Sequence, residues 1–579
     1  MRTSSPRTRR KRNRGRTPQR SKALPEANEP KAPPRPESEV FADLATLCQV
    51  PGYVHALSYL IFRDSVVTGG EEFKKEDFGK LYERERLIRT EIEILVGLFL
   101  KGDRNLHIPE PSHIQAMIER TDALLAELHE AILAPAQSDF ISAFEKHTAG
   151  DEVENPLGKG SMLREAIFYS GESAFSFQYS EFSSRRYARD SSWLKANFGF
   201  DMSDAQIVID TLISWLAEKF PVVFAALRHT DMRKWTTLPL FTFEISELIE
   251  RIQLDTSVIN AVIDRFSVPM GSRNEEYTSV GSPNQAAIFP LVKLGDGRIA
   301  FFLEYTGTGA LYNSPAYWMR LDKTYASLAA KHRGEFTEEV VEELIGRAFP
   351  PSRVFRGVVF KESKKITSGE ADLIFIHGKR AFVCQIKSKG LTEVARAGDD
   401  LAISKDFAGA FQDAYDQAVS CIDLMRRRIP TYIEGNAFDL PGLDAVEEFH
   451  PVCLTSENYP SLSFQVRQLL KLGNDNGLKN PIVMDIFTLD VVTEFLKSPL
   501  YLVDYLAKLS LLYEKVMSSH ELVTLAYHLR GNLFVPADIH MMMVEDDFMI
   551  ELDLAMNVRR RGLPGPRTPE GILTRNLVD

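Results

Sequence analysis

The sequence predicts an α+β or α/β multidomain chain, with a mainly helical N-terminal domain followed by a mixed β-sheet core flanked by helices. Three observations predict it. At 579 residues the chain is too long for one hydrophobic core. Apolar residues recur at three- and four-residue spacing from residue 40 to about 254, and short strand-like runs take over from about 286. The clearest of those runs, 371–376 and 381–386, flank a polar His377-Gly378-Lys379-Arg380 connection, the pattern of a β-hairpin.

Composition narrows the function class. An apolar share of 44% and a charged share of 26% are ordinary for a soluble globular protein, and no stretch approaches the ~20 apolar residues of a membrane span. The first 22 residues hold ten Lys or Arg and no acid, which leaves −21 for the rest of a chain whose formal charge is −11. A nucleic acid bound by so acidic a body must meet a local basic groove, because the overall field repels it. Cys48, Cys384, Cys421 and Cys453 are widely spaced and form no CxxC pair, so buried free thiols in a reducing compartment are expected. The basic N-terminus lacks the apolar run of a signal peptide. These features together point to the cytoplasm and exclude a membrane partner.

In chain order, residues 1–39 are rich in Arg, Ser and Pro and are expected to be a disordered basic tail. Residues 40–285 read as the helical domain, with helices at 87–100, 113–133 and 201–219, the last capped by Ser203 or Asp204. Within it, 163–194 is crowded with aromatics and ends in Arg185, Arg186, Tyr187 and Arg189. Such a segment can stack on a nucleic-acid strand, or pack its rings on a neighbouring domain. Residues 286–500 read as the sheet core. Two runs, 287–294 and 298–305, flank the turn signal Gly295-Asp296-Gly297, and a helix at 334–349 is stopped by Pro350-Pro351. That helix buries Val341, Leu344, Ile345 and Ala348 and turns Glu338 inward one turn earlier. A strand at 353–360, a polar loop at 361–368, the hairpin, an amphipathic helix at 406–428 and strands at 451–454 and 481–487 follow. Residues 501–555 read as C-terminal helices and 556–579 as a flexible tail carrying Arg559-Arg560-Arg561. Gly158-Lys159-Gly160-Ser161 and Gly307-Thr308-Gly309 lack the remaining glycines of a phosphate loop, and His520-Glu521 lacks the second His of a zinc-protease helix.

The hairpin concentrates the chemistry. Period-two alternation puts Gln385 and Lys387 on one face of the second strand, with Asp372 at the start of the first. An inward Glu338, a strand opening at Asp372 and a strand carrying Gln385-Ile386-Lys387 stand in an order that resembles the PD-(D/E)xK, or restriction-endonuclease-like, nucleases. The closest variant is the Mrr-like group, with Gln-x-Lys as its third motif. The resemblance implies that the sheet core is of the restriction-endonuclease-like type. It implies that Asp372, Gln385 and Glu338 hold Mg²⁺ or Mn²⁺, with Lys387 as the fourth catalytic residue, orienting or deprotonating the attacking water. Gln412 and Tyr415 on the following helix, and Lys389, are auxiliary candidates. A neutral Gln385 removes one charge from the site, which weakens metal binding and favours one ion over two.

The expected function is therefore that of a metal-dependent endonuclease hydrolysing phosphodiester bonds in DNA, in defence or DNA processing. The alternative is a nuclease-fold protein of little or no activity that binds nucleic acid or scaffolds partners. An RNA-directed enzyme is a third reading.

Overall fold

A computed structural model describes residues 34–83, 85–149, 158–169, 174–294, 296–363, 366–396, 399–473 and 478–568. The architecture is mixed α and β. Most of the expected basic tail, with its arginine run, lies outside the described residues. The first helix, Glu37–Cys48, starts inside the stretch assigned to that tail. Helices Glu37–Cys48, Tyr53–Ser65, Arg89–Phe99 and Pro111–Ala149 bury Leu44, Leu57, Leu95 and Leu124 in one cluster. The long helix Met202–Leu227 is capped by Asp201, not by Ser203 or Asp204. Its carboxylate accepts the Ser203 and Asp204 N–H groups at 3.0 and 3.1 Å, leaving the next two polar residues inside the first turn.

This half also contains a small sheet. Strands β1 (Thr242–Glu244), β2 (Ser267–Val268), β3 (Leu291–Lys293) and β4 (Arg298–Phe301) form it in the order β1-β4-β3-β2. The 298–301 strand therefore pairs back into the helical half and not into the core sheet.

The core is a seven-stranded sheet. Its strands are β5 (Val354–Ser363), β6 (Ile366–His377), β7 (Arg380–Lys387), β8 (Thr431–Ile433), β9 (Asn436–Phe438), β10 (Glu448–Thr455) and β11 (Ile482–Asp485), ordered β11-β10-β7-β6-β5-β8-β9. β6 and β7 are antiparallel and joined by a two-residue turn, shorter than the four-residue connection expected. Gly378 takes φ +57°, a conformation that costs a side chain, and His377 pairs with Arg380. β7, β10 and β11 are parallel, so their C-terminal ends lie together. The polar 361–368 stretch is largely strand, because β5 and β6 continue past the body of the sheet as an exposed ribbon. β8 and β9 carry too little apolar pattern to be read in advance.

Helices cover both faces. Helix Ala326–Gly346 packs Phe336, Val340, Val341 and Leu344 on Leu373, Phe375, Phe382 and Cys384. Helix Asp413–Arg426 packs Ala418, Cys421, Ile422 and Met425 on Ala371, Ile374, Ala381 and Val383. The first of these clusters continues into the C-terminal helices through Leu502, Leu506, Leu522 and Leu552, so residues 501–555 share the sheet's own core. Helix Met549–Arg560 also runs into the expected tail, and its arginines are ion-paired rather than loose. All four cysteines are buried and free, and no helix among the described residues is long and apolar enough to cross a membrane.

Candidate active site

The site begins where the β6–β7 ladder ends. Pairing runs from His377↔Arg380 back to Leu373↔Cys384 and stops there. On the other side of β6 the ladder to β5 passes from Arg356↔Leu373 to Val358↔Ala371 and omits Gly357 and Asp372. Gly357 adopts φ +61° at that point, so β5 reverses which face its side chains take: Phe355 and Val358, three residues apart, lie in one cluster. Asp372 is thereby released from the ladder. Its Oδ2 accepts the Ile386 N–H at 2.7 Å, a side chain standing in for the backbone carbonyl that regular pairing would supply.

Two charged side chains, Glu338 and Lys387, act on this carboxylate from different elements. Glu338 is half-buried on helix Ala326–Gly346, as its helical phase predicts. Burial first, and then the negative charge of Asp372, push its pKa above the ordinary carboxylate range, while Arg356 on β5 opposes them. Asp372 is also pushed up, chiefly by burial, with the Ile386 N–H and the Lys387 charge drawing it back. Lys387 lies on the opposite flank, where its Nζ donates to Gln417 Oε1 at 2.7 Å. Gln417 projects from helix Asp413–Arg426, beside the Ala414–Ala418 stripe that lets the helix approach the sheet.

Gln385 has a different environment from its neighbours. It is 2% exposed, and its Nε2 donates to the Glu370 carbonyl at 2.7 Å and faces Cys421 Sγ at 3.8 Å. It braces β6 where the strands separate. Glu370 itself is exposed at the mouth of the site and adds to the negative potential felt by Asp372 and Glu338.

The auxiliary candidates lie elsewhere. Gln412 is held by the backbone of Lys471, donating to its carbonyl at 3.1 Å and accepting its N–H at 2.9 Å. The Tyr415 hydroxyl accepts the Gly473 N–H at 3.2 Å. Lys389 reaches the Lys405 carbonyl at 3.3 Å and Asp406 at 3.7 Å. The cause is a change of partner along the helix expected at 406–428. Through Tyr415 the helical run, which includes a π-turn at Ala408–Gln412, packs with Tyr459, Leu462, Cys453 and Val483, and from Ala418 it packs on β5, β6 and β7. Gln412 and Tyr415 belong to the first part, and Gln417 lies at the change to the second.

The 163–194 stretch resolves toward packing. Arg185 pairs with Glu343 at 2.5 Å, and Arg189 with Glu335 at 3.4 Å and Glu339 at 2.7 Å, all on the helix that carries Glu338. Tyr179 and Phe182 are buried against Phe487. Glu335, Glu339 and Glu343 of the Ala326–Gly346 helix are thus paired by the N-terminal half and Glu342 by Arg356 of β5, while Glu338 is the one whose charge couples to Asp372.

Among the described residues, no three or more His, Cys, Asp and Glu side chains are grouped so that they could hold a metal ion by themselves. The donors available are the Asp372 and Glu338 carboxylates, the Ile386 carbonyl and the Gln385 amide. Two carboxyl groups whose charge is left under-compensated, Asp372 chiefly by burial and Glu338 by burial and by Asp372, suit a hard divalent cation, and a set this small suits Mg²⁺, which keeps several waters. No family model matches the chain, and no curated protein or solved structure does either.

Proposed function

We propose that the chain is a divalent-metal-dependent nuclease of the restriction-endonuclease-like type that hydrolyses phosphodiester bonds in DNA. One observation carries the reading: at the end of the β6–β7 ladder, Asp372 leaves its ladder position to stand between an acid from one layer, Glu338, and a lysine from its partner strand, Lys387. Asp372 and Glu338 would hold Mg²⁺ or Mn²⁺ with the Ile386 carbonyl, and Gln385 would contribute through its amide oxygen. When bound, the ion would lower the pKa of a water and neutralise phosphate charge. Lys387, positioned by Gln417, orients the attacking water and stabilises charge that develops on the phosphate oxygens.

The test is cleavage of plasmid DNA by the full chain with Mg²⁺ or Mn²⁺, beside Asp372→Asn and Lys387→Met. Loss of roughly 10²–10³-fold in rate is expected for either variant. Equal cleavage by both variants and the parent overturns the assignment. One feature favours a second reading, a nuclease-fold protein that binds nucleic acid without turnover: residue 385 is neutral and its amide nitrogen is committed to Glu370. That reading requires salt-sensitive binding of DNA and no metal-dependent product.

A further inference from the structure

A cavity of about 1450 Å³ lies where the N-terminal half, the sheet core and the C-terminal helices meet, away from the residues of the candidate active site. Tyr82, Tyr169, Phe175, Phe177, Tyr305 and Phe464 are among the rings that line it, and Phe175 and Phe177 stack at 5.2 Å. Its charge is lopsided: acidic side chains outnumber arginines eight to three among the described lining residues. Each arginine already has a carboxylate, Arg561 with Glu304 at 3.1 Å, Arg86 with Glu83 at 3.5 Å and Arg89 with Glu93 at 3.7 Å. Glu545, Asp546 and Asp547 by contrast form an exposed acidic run.

A second observation is independent of that run. His520 also lines the cavity; it is 3% exposed, and its Nδ1 has no hydrogen-bond partner. Buried polar atoms are rarely left unpaired without a ligand or water to meet them. Burial pushes His520 down to about 4, so the ring is neutral near pH 7 and one of its nitrogens is an acceptor.

We propose that this cavity binds an amphipathic organic cation, a molecule carrying ammonium or quaternary groups on an aliphatic or aromatic body. The acidic run attracts the charge, the rings take the apolar body and the cation face-on, and the His520 acceptor fixes one N–H. An anion of the same size meets surplus carboxylates and arginines that are already committed. The inference is independent of the nuclease reading and concerns a different set of residues.

Calorimetric titration and thermal melting of the full chain at low ionic strength test it, with spermidine and tetraphenylphosphonium as cationic probes and adenosine monophosphate as the anionic one. At least one cation is expected to bind saturably at one per chain and to raise Tm with concentration. Glu545→Lys/Asp547→Lys changes only exposed positions and is expected to weaken that binding about tenfold or more. His520→Phe keeps a buried ring but removes the acceptor, and is expected to weaken spermidine while sparing tetraphenylphosphonium, which has no N–H. Binding of the anion alone, of no probe, or of cations with unchanged affinity in both variants overturns the proposal.

Discussion

At the scale of single residues, the candidate site is defined by what Asp372, Gln385 and Gln417 each touch. Asp372 and Glu338 are acids held above their ordinary range, so their charged forms cost the folded state. An acid raised on folding binds its proton more readily when native, and stability falls as pH rises from the unfolded value through the folded one. Asp372→Asn keeps an acceptor for the Ile386 N–H and removes the charge. It is expected to melt higher than the parent at pH 8, with the gap closing toward pH 4, while cleavage is lost; a melting series across that range checks it. Gln385→Glu tests the brace. A carboxylate at a 2% exposed position, aimed at the Glu370 carbonyl, replaces a donor by a repelling acceptor. The expected cost is about 2–4 kcal/mol in denaturant titrations without divalent ions, partly recovered when Mg²⁺ is added. Recovery by Mg²⁺ is the informative arm, because a merely misfolded variant does not show it.

At the scale of elements, the decisive feature is the point where the β6–β7 ladder ends and the β5–β6 ladder skips Gly357 and Asp372. Gly357 sits there at φ +61°, with open space where a Cβ would go. Gly357→Ala therefore pays only the backbone term, about 1–2 kcal/mol. Its activity is expected to drop further than that loss explains, because relaxing Gly357 would draw Asp372 back toward the ladder. Comparison of unfolding free energy with cleavage rate separates the two effects. This element also shows what sequence makes legible. Glu338 one turn before Val341 and Lys387 two residues after Gln385 follow from periods of 3.6 and two, whereas Asp372, expected to open a strand, is the seventh residue of β6 and stands where the alternation of that strand breaks. Gln417 does not follow from a period. It lies where the helix passes from one cluster to another, between Tyr415 and Ala418, and that change leaves no mark in the spacing of Phe407, Ala410, Ala414 and Ala418. Gln412 and Tyr415 lie before that change and bond to the backbone of Lys471 and Gly473. β1 and β2 were illegible because two or three residues cannot display alternation.

At the scale of the whole molecule, the N-terminal half, the sheet core and the C-terminal helices converge on one buried acid. Asp490 is fully buried on helix Ile486–Phe495. It takes Arg347 at 2.6 Å from beyond the Ala326–Gly346 helix, Gln178 at 2.7 Å from helix Ser176–Arg186, and Arg560 at 3.3 Å from the last helix. Arg560 also pairs with Glu181, so the start of the expected C-terminal tail, which continues helix Met549–Arg560, straps the three parts together, while 569–579 lie outside the described residues. Removing one partner of a buried charge leaves the others uncompensated, and Asp490→Ala is expected to cost about 3–5 kcal/mol. Two neighbouring contacts are weaker at alkaline pH. Burial raises Glu521, bonded by Ser463 at 2.6 Å, and Asp553, bonded by the Tyr82 hydroxyl at 2.6 Å, each to about 7. Both lie on C-terminal helices. By the same sign as for Asp372, their contribution to stability declines as pH climbs from about 4 toward 7 and stays low above it. The chain is therefore expected to melt lower at pH 8 than at pH 5.5, and Glu521→Gln/Asp553→Asn to flatten that difference. A double variant whose melting temperature keeps the parent's slope with pH would show that the slope arises elsewhere. Asp490→Ala, in contrast, is expected to lower the melting temperature at pH 5.5 and pH 8 alike, because it leaves Arg347 and Arg560 without their buried carboxylate.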